Sequence, residues 1–406
     1  MEELKKKNIP YLSKADLIPR DKNRKNNLES IKERHEWLQS RVNNKFPCIS
    51  NYSFSSKNLE GNIENLCGAG QIPLGITGPI LLNGDHAKGK FYVPFATTEG
   101  ALVEGYERGM IAMTRAGGAN AKVHSEKMHI TPVFILRNLN DACKMEEWIR
   151  YNFLKIKKIA EQSTAHGKLL ELKSYIIGRR IFITFIYYTA DAMGLNMINV
   201  ATDAACEYIS KQIVTTGHFL RSNLSSDKKA SLLTFINGYS KEVSVDCVLP
   251  RSVISRYLRS SAERMYEFWY CSVLGSLQAG AIGLNAHYAN ALAAIFIACG
   301  QDVAQITNAA LGISMCEVTK EKDLYIALRL PCLVVGTVGG GTSLPTQQEC
   351  LKIMECYGSG MSNKFAEIVA ATLLAGEVSI CAAIASGDFI NRHKVKHEYL
   401  KKQIGM

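Results

Sequence analysis

The chain lacks most of the patterns that announce a function by themselves. Twelve cysteines are present, yet no two form a Cys-x-x-Cys pair, so a structural zinc site or a dithiol redox motif is not indicated. No secretory signal opens the chain, and Cys299, Cys332 and Cys381 sit in apolar runs, where they read as reduced core residues. The longest apolar stretches read as Ala291 to Cys299 and Leu330 to Val335, both too short to cross a bilayer. Neither Gly-x-Gly-x-x-Gly nor the Walker pattern occurs, and no nucleic-acid-binding motif stands out. These absences predict a soluble intracellular protein without metal, with no transmembrane segment in this chain. The localisation expected is cytoplasmic, or the cytosolic face of the endoplasmic reticulum should the chain be separated from an anchor.

What is present is ordinary in amount and uneven in placement. The 406 residues are 47% hydrophobic and 21% charged, enough for two or three domains with an ample core. The formal charge of +11 favours anionic partners, but much of it lies near Lys5, Lys6, Lys7, Arg20, Lys22, Arg24 and Lys25 and in the tail from Arg392 to Lys402. Charge runs at chain ends are usually solvated, and a basic nucleic-acid binder has only net charge in its favour.

Periodicity divides the chain. Residues 1–63 read as a helical N-terminal appendage, with an exposed helix from Leu28 to Val42 carrying a thin seam of Leu28, Ile31, Trp37 and Leu38. Residues 64–79 are dense in Gly and Pro and predict special turns. Phe91 to Phe95 reads as a strand, after which Thr97 or Thr98 would cap a helix with Glu99 in its first turn. From Thr131 the order is strand (132–136), helix (141–162), strands (168–177 and 180–188) around Gly178, and helix (196–215). That β-α-β-β-α order resembles a small ferredoxin-like α/β sandwich. Val243 to Val248 reads as a strand, and 253–277, 285–299 and 364–384 as helices. The fold class expected is α+β, a large helix-rich domain with the small domain inserted. The boundaries are 64–130 and 231–406 for the large domain, 131–220 for the small one, and 221–230 for a connecting loop.

Taken singly, the polar residues in these segments are weak signals. The loop Gly336-Thr337-Val338-Gly339-Gly340-Gly341-Thr342 can offer backbone N–H groups to a phosphate or be only a tight turn. Asp227-Lys228-Lys229 can be a solvated turn. Asp302 stands at the end of a predicted helix, where the dipole disfavours a negative charge.

In combination these residues say more. Pro94-Phe95-Ala96-Thr97-Thr98-Glu99-Gly100, Asp191-Ala192-Met193-Gly194-Leu195-Asn196-Met197, the Asp-Lys-Lys turn, Asn285-Ala286-His287 with Asn290, Gly300-Gln301-Asp302, the glycine loop and Ala375-Gly376-Glu377 occur in one order. That order resembles hydroxymethylglutaryl-coenzyme A (HMG-CoA) reductase, from about Glu64 to His393. The Asp-Lys-Lys turn and Glu64-Asn65 look like the class found in eukaryotes and archaea, class I. The resemblance implies reduction of the thioester to mevalonate and free coenzyme A with two NADPH, NADH not being excluded. It implies Lys228 as the cation awaiting the oxyanion, Glu99 as proton donor, Asp302 linking and tuning both, and His393 protonating the departing thiolate. Glu99 would then need burial or a nearby carboxylate to hold its proton. Asp191, Met193, Gly194, Asn196, Val338 and Gly339 would meet the nicotinamide cofactor. Asp227, Lys229, His287 and Asn290 would meet the substrate, and Arg108 and Arg259 the coenzyme A phosphates. A homodimer or homotetramer with the active site between subunits is implied as well.

The chain departs from the family at the substrate clamp. The family arginine that meets the substrate carboxylate falls at Ile130, a second cation falls within Tyr270-Cys271-Ser272, and a glutamate falls at Val334. Arg221 stands where the family has a serine and could compensate for the missing cations, and Thr164-Ala165-His166 stands where it has the arginine that reads the cofactor's 2′-phosphate, with His166 or Lys168 as replacements. The aromatic before Asn-Ala-His is absent at Gly283-Leu284-Asn285, and His-Asn in the tail is His397-Glu398. The altered clamp leaves two alternatives open, a diverged paralogue that binds a coenzyme A ester or scaffolds a partner, and a reductase of another acyl-coenzyme A.

Overall fold

The computed structural model describes residues 16–21, 26–42, 44–59, 61–164 and 166–387. Two compact units are distinguished, residues 1–73 with 343–345, and the remainder.

In the smaller unit the helix Leu28–Val42 has the predicted bounds but not the predicted seam. Ile31 is buried with Leu59 and Leu66, whereas Leu28 is 78% exposed. Ser30 and Arg34 are buried too, and the Arg34 guanidinium reaches the carbonyls of Pro19 (3.1 Å) and Leu66 (2.6 Å). An arginine bonded to backbone carbonyls ties loop to helix where there is little apolar surface to do so.

In the larger unit, the Gly/Pro-rich segment resolves into a strand that periodicity did not reveal. β1 (Leu74–Asn83) pairs antiparallel with β2 (Lys88–Ala96) as a two-stranded sheet. The helix after β2 is Leu102–Arg115, starting later than expected. Its N-cap is Ala101, in the left-handed region at φ 69°, with no side-chain cap. Thr97 Oγ1 instead accepts from the Glu99 amide at 3.0 Å, forming a short turn. Glu99 therefore lies before the helix and is exposed, not in its first turn.

The main sheet has eight antiparallel strands in the order β7-β4-β6-β3-β8-β10-β9, with β5 also pairing β6. These are β3 (Asn120–Ile130), β4 (Val133–Ile135), β5 (Lys168–Ile177), β6 (Arg180–Tyr188), β7 (Gly217–Phe219), β8 (Ser240–Leu249), β9 (Ile313–Val318) and β10 (Leu324–Leu333). Within it β7-β4-β6-β5, with the helices Leu139–Tyr151, Phe153–Glu161 and Leu195–Gln212, is the ferredoxin-like arrangement. The single helix expected over 141–162 is broken at Asn152, whose carboxamide donates to the Trp148 carbonyl at the end of the first helix and leaves the start of the second uncapped. The helix expected over 253–277 is also broken. Arg259 turns left-handed (φ 53°), and Ser261 caps a new helix, Ala262–Gln278, by accepting from the Arg264 amide.

The helix Ser362–Ser386 runs through the largest apolar cluster, and every residue from Phe365 to Ser379 is buried. It is long and apolar enough by length and composition to cross a membrane. The reading of the apolar runs missed it because Glu367, Gly376 and Glu377 interrupt them. Burial on all sides by protein is the alternative that a wholly apolar helix has to a membrane. The helix Leu102–Arg115 approaches it closely at Gly109, where a Cβ would lie 1.8 Å from the Ala375 carbonyl oxygen. A second cluster fills the ferredoxin-like part and includes Ile130, Tyr239, Cys332 and Val334.

Candidate active site

The Asp-Lys-Lys turn follows β7 and is bent more sharply than its residue types favour. Asn223, Ser226 and Lys228 have φ of 65°, 53° and 56°, a region that costs a non-glycine residue about 1 kcal/mol or more. The bend is held from both sides. Asn308 donates to the carbonyls of Ser226 (3.0 Å) and Lys229 (3.1 Å), and its oxygen accepts from the Lys229 amide at 3.2 Å. The Asp227 carboxylate accepts from Arg221 (2.8 Å), the Tyr239 hydroxyl (3.2 Å) and the Gln305 carboxamide (2.7 Å). Lys229 Nζ donates to the Asp227 carbonyl at 3.2 Å.

Between these anchors Lys228 projects its ammonium onto Asp302, Nζ to Oδ2 2.7 Å, with both side chains partly exposed. Asp302 is not at an unfavourable helix C-terminus as the sequence suggested. The preceding helix ends at Ala298, and Asp302 is the N-cap of the turn Val303–Gln305, Oδ1 accepting from the Ala304 amide at 3.1 Å. One carboxylate oxygen thus fixes the residue and the other meets the lysine. Gly300 (φ 66°) makes this possible, since a Cβ there would lie 2.3 Å from the Gly341 carbonyl oxygen. Gln301 ties the same segment to the glycine loop by accepting from the Gly336 amide at 2.9 Å.

Glu99 does not join this pair within the chain. Its two carboxylate oxygens each lie 3.3 Å from the Asn290 carboxamide nitrogen, and it has no hydrogen bond to Lys228 or Asp302. The burial expected of a proton-holding glutamate is also missing, because the loop of residues 97–101 stands clear of the core. His393 lies outside the described residues.

The segments predicted to meet a cofactor are drawn together by Asp191. Its carbonyl accepts from the amides of Thr337 (2.8 Å) and Val338 (3.3 Å), and its carboxylate from those of Gly360 (2.8 Å) and Ser362 (3.1 Å). Burial would raise this carboxyl, but the Gly360 and Ser362 bonds outweigh it and leave the group below its ordinary value. Asp191 therefore acts within the chain as a tie between its own loop, the glycine loop and the start of the long helix. Met193 lies against Gly336, where a Cβ would sit 2.6 Å from the Met193 amide nitrogen. Beside them the helix Leu195–Gln212 begins at Gly194 (φ 85°) without a side-chain cap, with Asn196 exposed in its first turn. Val338 and Gly339 are exposed, and nothing lies within 4 Å of a Cβ placed on Gly339. An uncapped helix start beside an open glycine turn suits a phosphate-bearing ligand.

Ala375-Gly376-Glu377 turns out to be a structural device. The Glu377 carboxylate is almost wholly buried and accepts from the amides of Ala286 (3.0 Å) and His287 (3.2 Å), with His287 Nδ1 at 3.4 Å. Gly376 leaves room for Tyr106, whose ring stacks on His287 with centroids 5.1 Å apart. His287 and Asn290 are thereby set at the start of the helix Tyr288–Ala298. Arg108 donates to the hydroxyl and carbonyl of Ser379, joining two helices, and Arg259 is exposed. Ile130 and Val334 are buried, and Cys271 is exposed. Thr164 Oγ1 accepts from the amides of His166 and Gly167, and both His166 and Lys168 are exposed. Among the described residues no three His, Cys, Asp or Glu side chains converge as metal ligands.

Sequence reasoning missed the residues that hold these groups in place, chiefly Asn308, Gln305, Tyr239 and the Lys241 network. Lys241 is buried, its Nζ 2.7 Å from both Glu126 Oε2 and Asn363 Oδ1. A lysine alternating with apolar residues along a strand was the available signal for Lys241.

The model of the family described as hydroxymethylglutaryl-coenzyme A reductase matches residues 30–398. The chain belongs to this family. It is 42% identical over 369 residues to the 3-hydroxy-3-methylglutaryl-coenzyme A reductase of Methanocaldococcus jannaschii, covering 89% of this chain and 91% of that one. It is 41% identical to the corresponding protein of Pyrococcus abyssi, over 89% and 91% of the two chains. A solved class II reductase from Streptococcus pneumoniae, bound to NADPH in open conformations, shares the fold. Its TM-score is 0.67 at 20% identity, over 87% of this chain and 97% of that one.

Proposed function

We propose that the chain reduces HMG-CoA to mevalonate and free coenzyme A, as its family membership and the pair at Lys228 both support. The single observation that carries the mechanism is the 2.7 Å contact between Lys228 and Asp302 at the end of a strained, cross-braced turn. Each reduction turns a carbonyl oxygen into an oxyanion, and a cation already in position stabilises it without reorganisation. Lys228 is that cation, and Asp302 orients it. Glu99, oriented by Asn290, donates the proton to the alkoxide. The desolvation this needs would come from bound substrate and a second copy of the chain, which makes an active site between subunits part of the reading. His393 serves the thiolate.

NADPH, when bound, supplies the hydride for both steps. The uncapped helix start at Gly194, with Asn196, Met193 and the Val338-Gly339 turn tied to it through Asp191, are the residues that would hold it. We also place the chain in class I, on the Asp-Lys-Lys turn and the similarity to the archaeal relatives.

The test is NADPH oxidation by purified protein with HMG-CoA, repeated on Lys228→Ala. Loss of one preorganised donor costs about 3–4 kcal/mol, so kcat should fall by ~10²–10³. Lys228→Ala turning over at the wild-type rate would end this assignment. A second reading has one observation behind it, the burial of apolar Ile130 and Val334 where the family carries charge. A coenzyme A ester would then bind without being reduced by the wild-type protein.

A further inference from the structure

We propose that the face of the ferredoxin-like sheet turned away from its helices holds a site for a small monovalent anion of chloride size, with His129 as its buried donor. None of the residues assigned above to substrate or cofactor lines this site.

Strand register builds one wall. His129 on β3 stands beside Ile186 on β6, which stands beside Glu171 on β5, and Thr184 likewise stands beside Lys173. Alternate residues of a strand point the same way, so Lys127 and Tyr175 share this face. The other face carries Met128, Ile130, Phe185 and Tyr187 into the apolar cluster with the helices. The facing wall comes from both sides of the Asp-Lys-Lys turn. Leu224 and Ser225 precede the turn, and the short helix Leu232–Asn237 follows it with Leu233, Thr234 and Asn237. The cavity between the walls measures about 40 Å³. That is about three water-sized spheres, enough for one chloride ion and too little for a coenzyme.

The polar groups in this cavity suit an anion. His129 is only 9% exposed, and its Nε2 has no hydrogen-bond partner among the described residues. A buried ring nitrogen left so is costly, and a ligand that accepts its proton removes the cost. Ser225 and Thr184, each 8% exposed, add hydroxyls. The Thr184 hydroxyl meets Thr131 Oγ1 at 3.0 Å and can turn its own proton inward when Thr131 donates. Two ammonium groups, Lys127 and Lys173, face one carboxylate, Glu171, which is 52% exposed and lies 3.8 Å from Lys173. Tyr175 is the remaining titratable group, and the facing wall brings no charge, so the lining is net positive.

The His129 ring senses that charge. Burial, then Lys173 and Lys127, push its pKa from 6.5 down to about 4. The lysine field that disfavours a proton on the ring favours an anion beside it. By linkage, a bound anion returns the effect and raises the His129 pKa.

The experiment follows the ring signals of His129 by NMR in the whole protein, in sodium chloride and in sodium gluconate, whose anion is too large to enter. Equal ionic strength holds screening constant. The signal is identified by its loss in His129→Phe. Its titration midpoint should lie about one pH unit higher in chloride, and the difference should vanish in Lys127→Gln/Lys173→Gln. Bromide-soaked crystals should show anomalous scattering within about 3.5 Å of Nε2. The same midpoint in both salts, or water alone at Nε2 in bromide, would overturn the proposal. A chloride dependence that survives in the double lysine variant would do so too, because the effect would then belong to the surface at large. Neither readout involves a thioester or a nicotinamide, so failure of the enzymatic reading would leave both interpretable.

Discussion

His129 makes stability depend on pH in a way that one substitution should abolish. It lies on β3, 9% exposed, with its ring edge-to-face to Tyr239 at 5.7 Å between centroids. Its Nε2 is buried with no hydrogen-bond partner among the described residues, beside a cavity of about 40 Å³ lined also by Lys127, Glu171, Lys173, Thr184 and Ser225. Burial, then the charges of Lys173 and Lys127, lower its pKa from 6.5 to about 4. The unfolded chain takes up a proton below pH 6.5, whereas the folded protein refuses it until about pH 4. The stability contribution is therefore complete above 6.5 and is lost as the pH falls through that window. The difference between the two values amounts to about 3 kcal/mol. Carboxylates titrate over the same range, so the informative quantity is the difference between wild type and His129→Phe. Phe keeps the edge-to-face contact, fills part of the cavity and cannot be protonated. Urea unfolding at steps from about pH 8 to about pH 4 gives both curves by linear extrapolation. Wild type should lose about 3 kcal/mol relative to the variant on acidification. Parallel curves through this range would refute the assignment of a buried neutral imidazole.

Two further substitutions probe the framework. Gly376→Ala gains about 1 kcal/mol of helix propensity, but its Cβ would lie 2.3 Å from the buried Tyr106 ring. Overpacking wins, so thermal unfolding should show a net loss of about 2 kcal/mol and a shifted Tyr106–His287 contact. Lys241→Met leaves the Glu126 carboxylate without its cation and should cost about 3–5 kcal/mol in urea unfolding, with much of it recovered in Lys241→Met/Glu126→Leu. A double variant no more stable than Lys241→Met alone would contradict the pairing.

What could be read from the chain and what could not divide along physical lines. The hairpin around Gly178 was legible because two runs dense in apolar and β-branched residues flank a glycine turn, although the alternation of the first breaks at a bulge between Leu169 and Glu171, and its bounds agree with the structure. β3 was not, because Lys122, His124, Ser125, Glu126 and Lys127 interrupt the apolar alternation, and Lys241 on β8 pairs with Glu126 inside the protein. β1 was masked by Gly75, Gly78 and Pro79. The breaks at Asn152 and Arg259 follow from local hydrogen bonds and a left-handed residue that helix periodicity does not register. The Lys228–Asp302 pair joins distant segments, so only the resemblance to a family could suggest it, and spacing alone pointed Asp302 to the wrong end of a helix. The remoteness of Glu99 from that pair within one chain was not visible either, because exposure is a property of the assembled fold.

The strain in the Asp-Lys-Lys turn bears on why the chemistry resides there. Ser226 and Lys228 each hold a left-handed backbone that a free tetrapeptide would relax at once, at a combined cost of about 2–3 kcal/mol. Two bonds donated by Asn308, one accepted by it and three accepted by Asp227 offset it, and none of the six involves the Lys228 side chain. The backbone under the lysine is thus fixed by its neighbours, while its ammonium is paired, among the described residues, with Asp302. A lysine solvated on a relaxed turn would have to be ordered anew in every transition state, at a cost of about 2 kcal/mol in side-chain entropy alone. Here that ordering is complete before any thioester arrives, and it is ordering in advance, more than charge alone, that lets a cation lower a barrier.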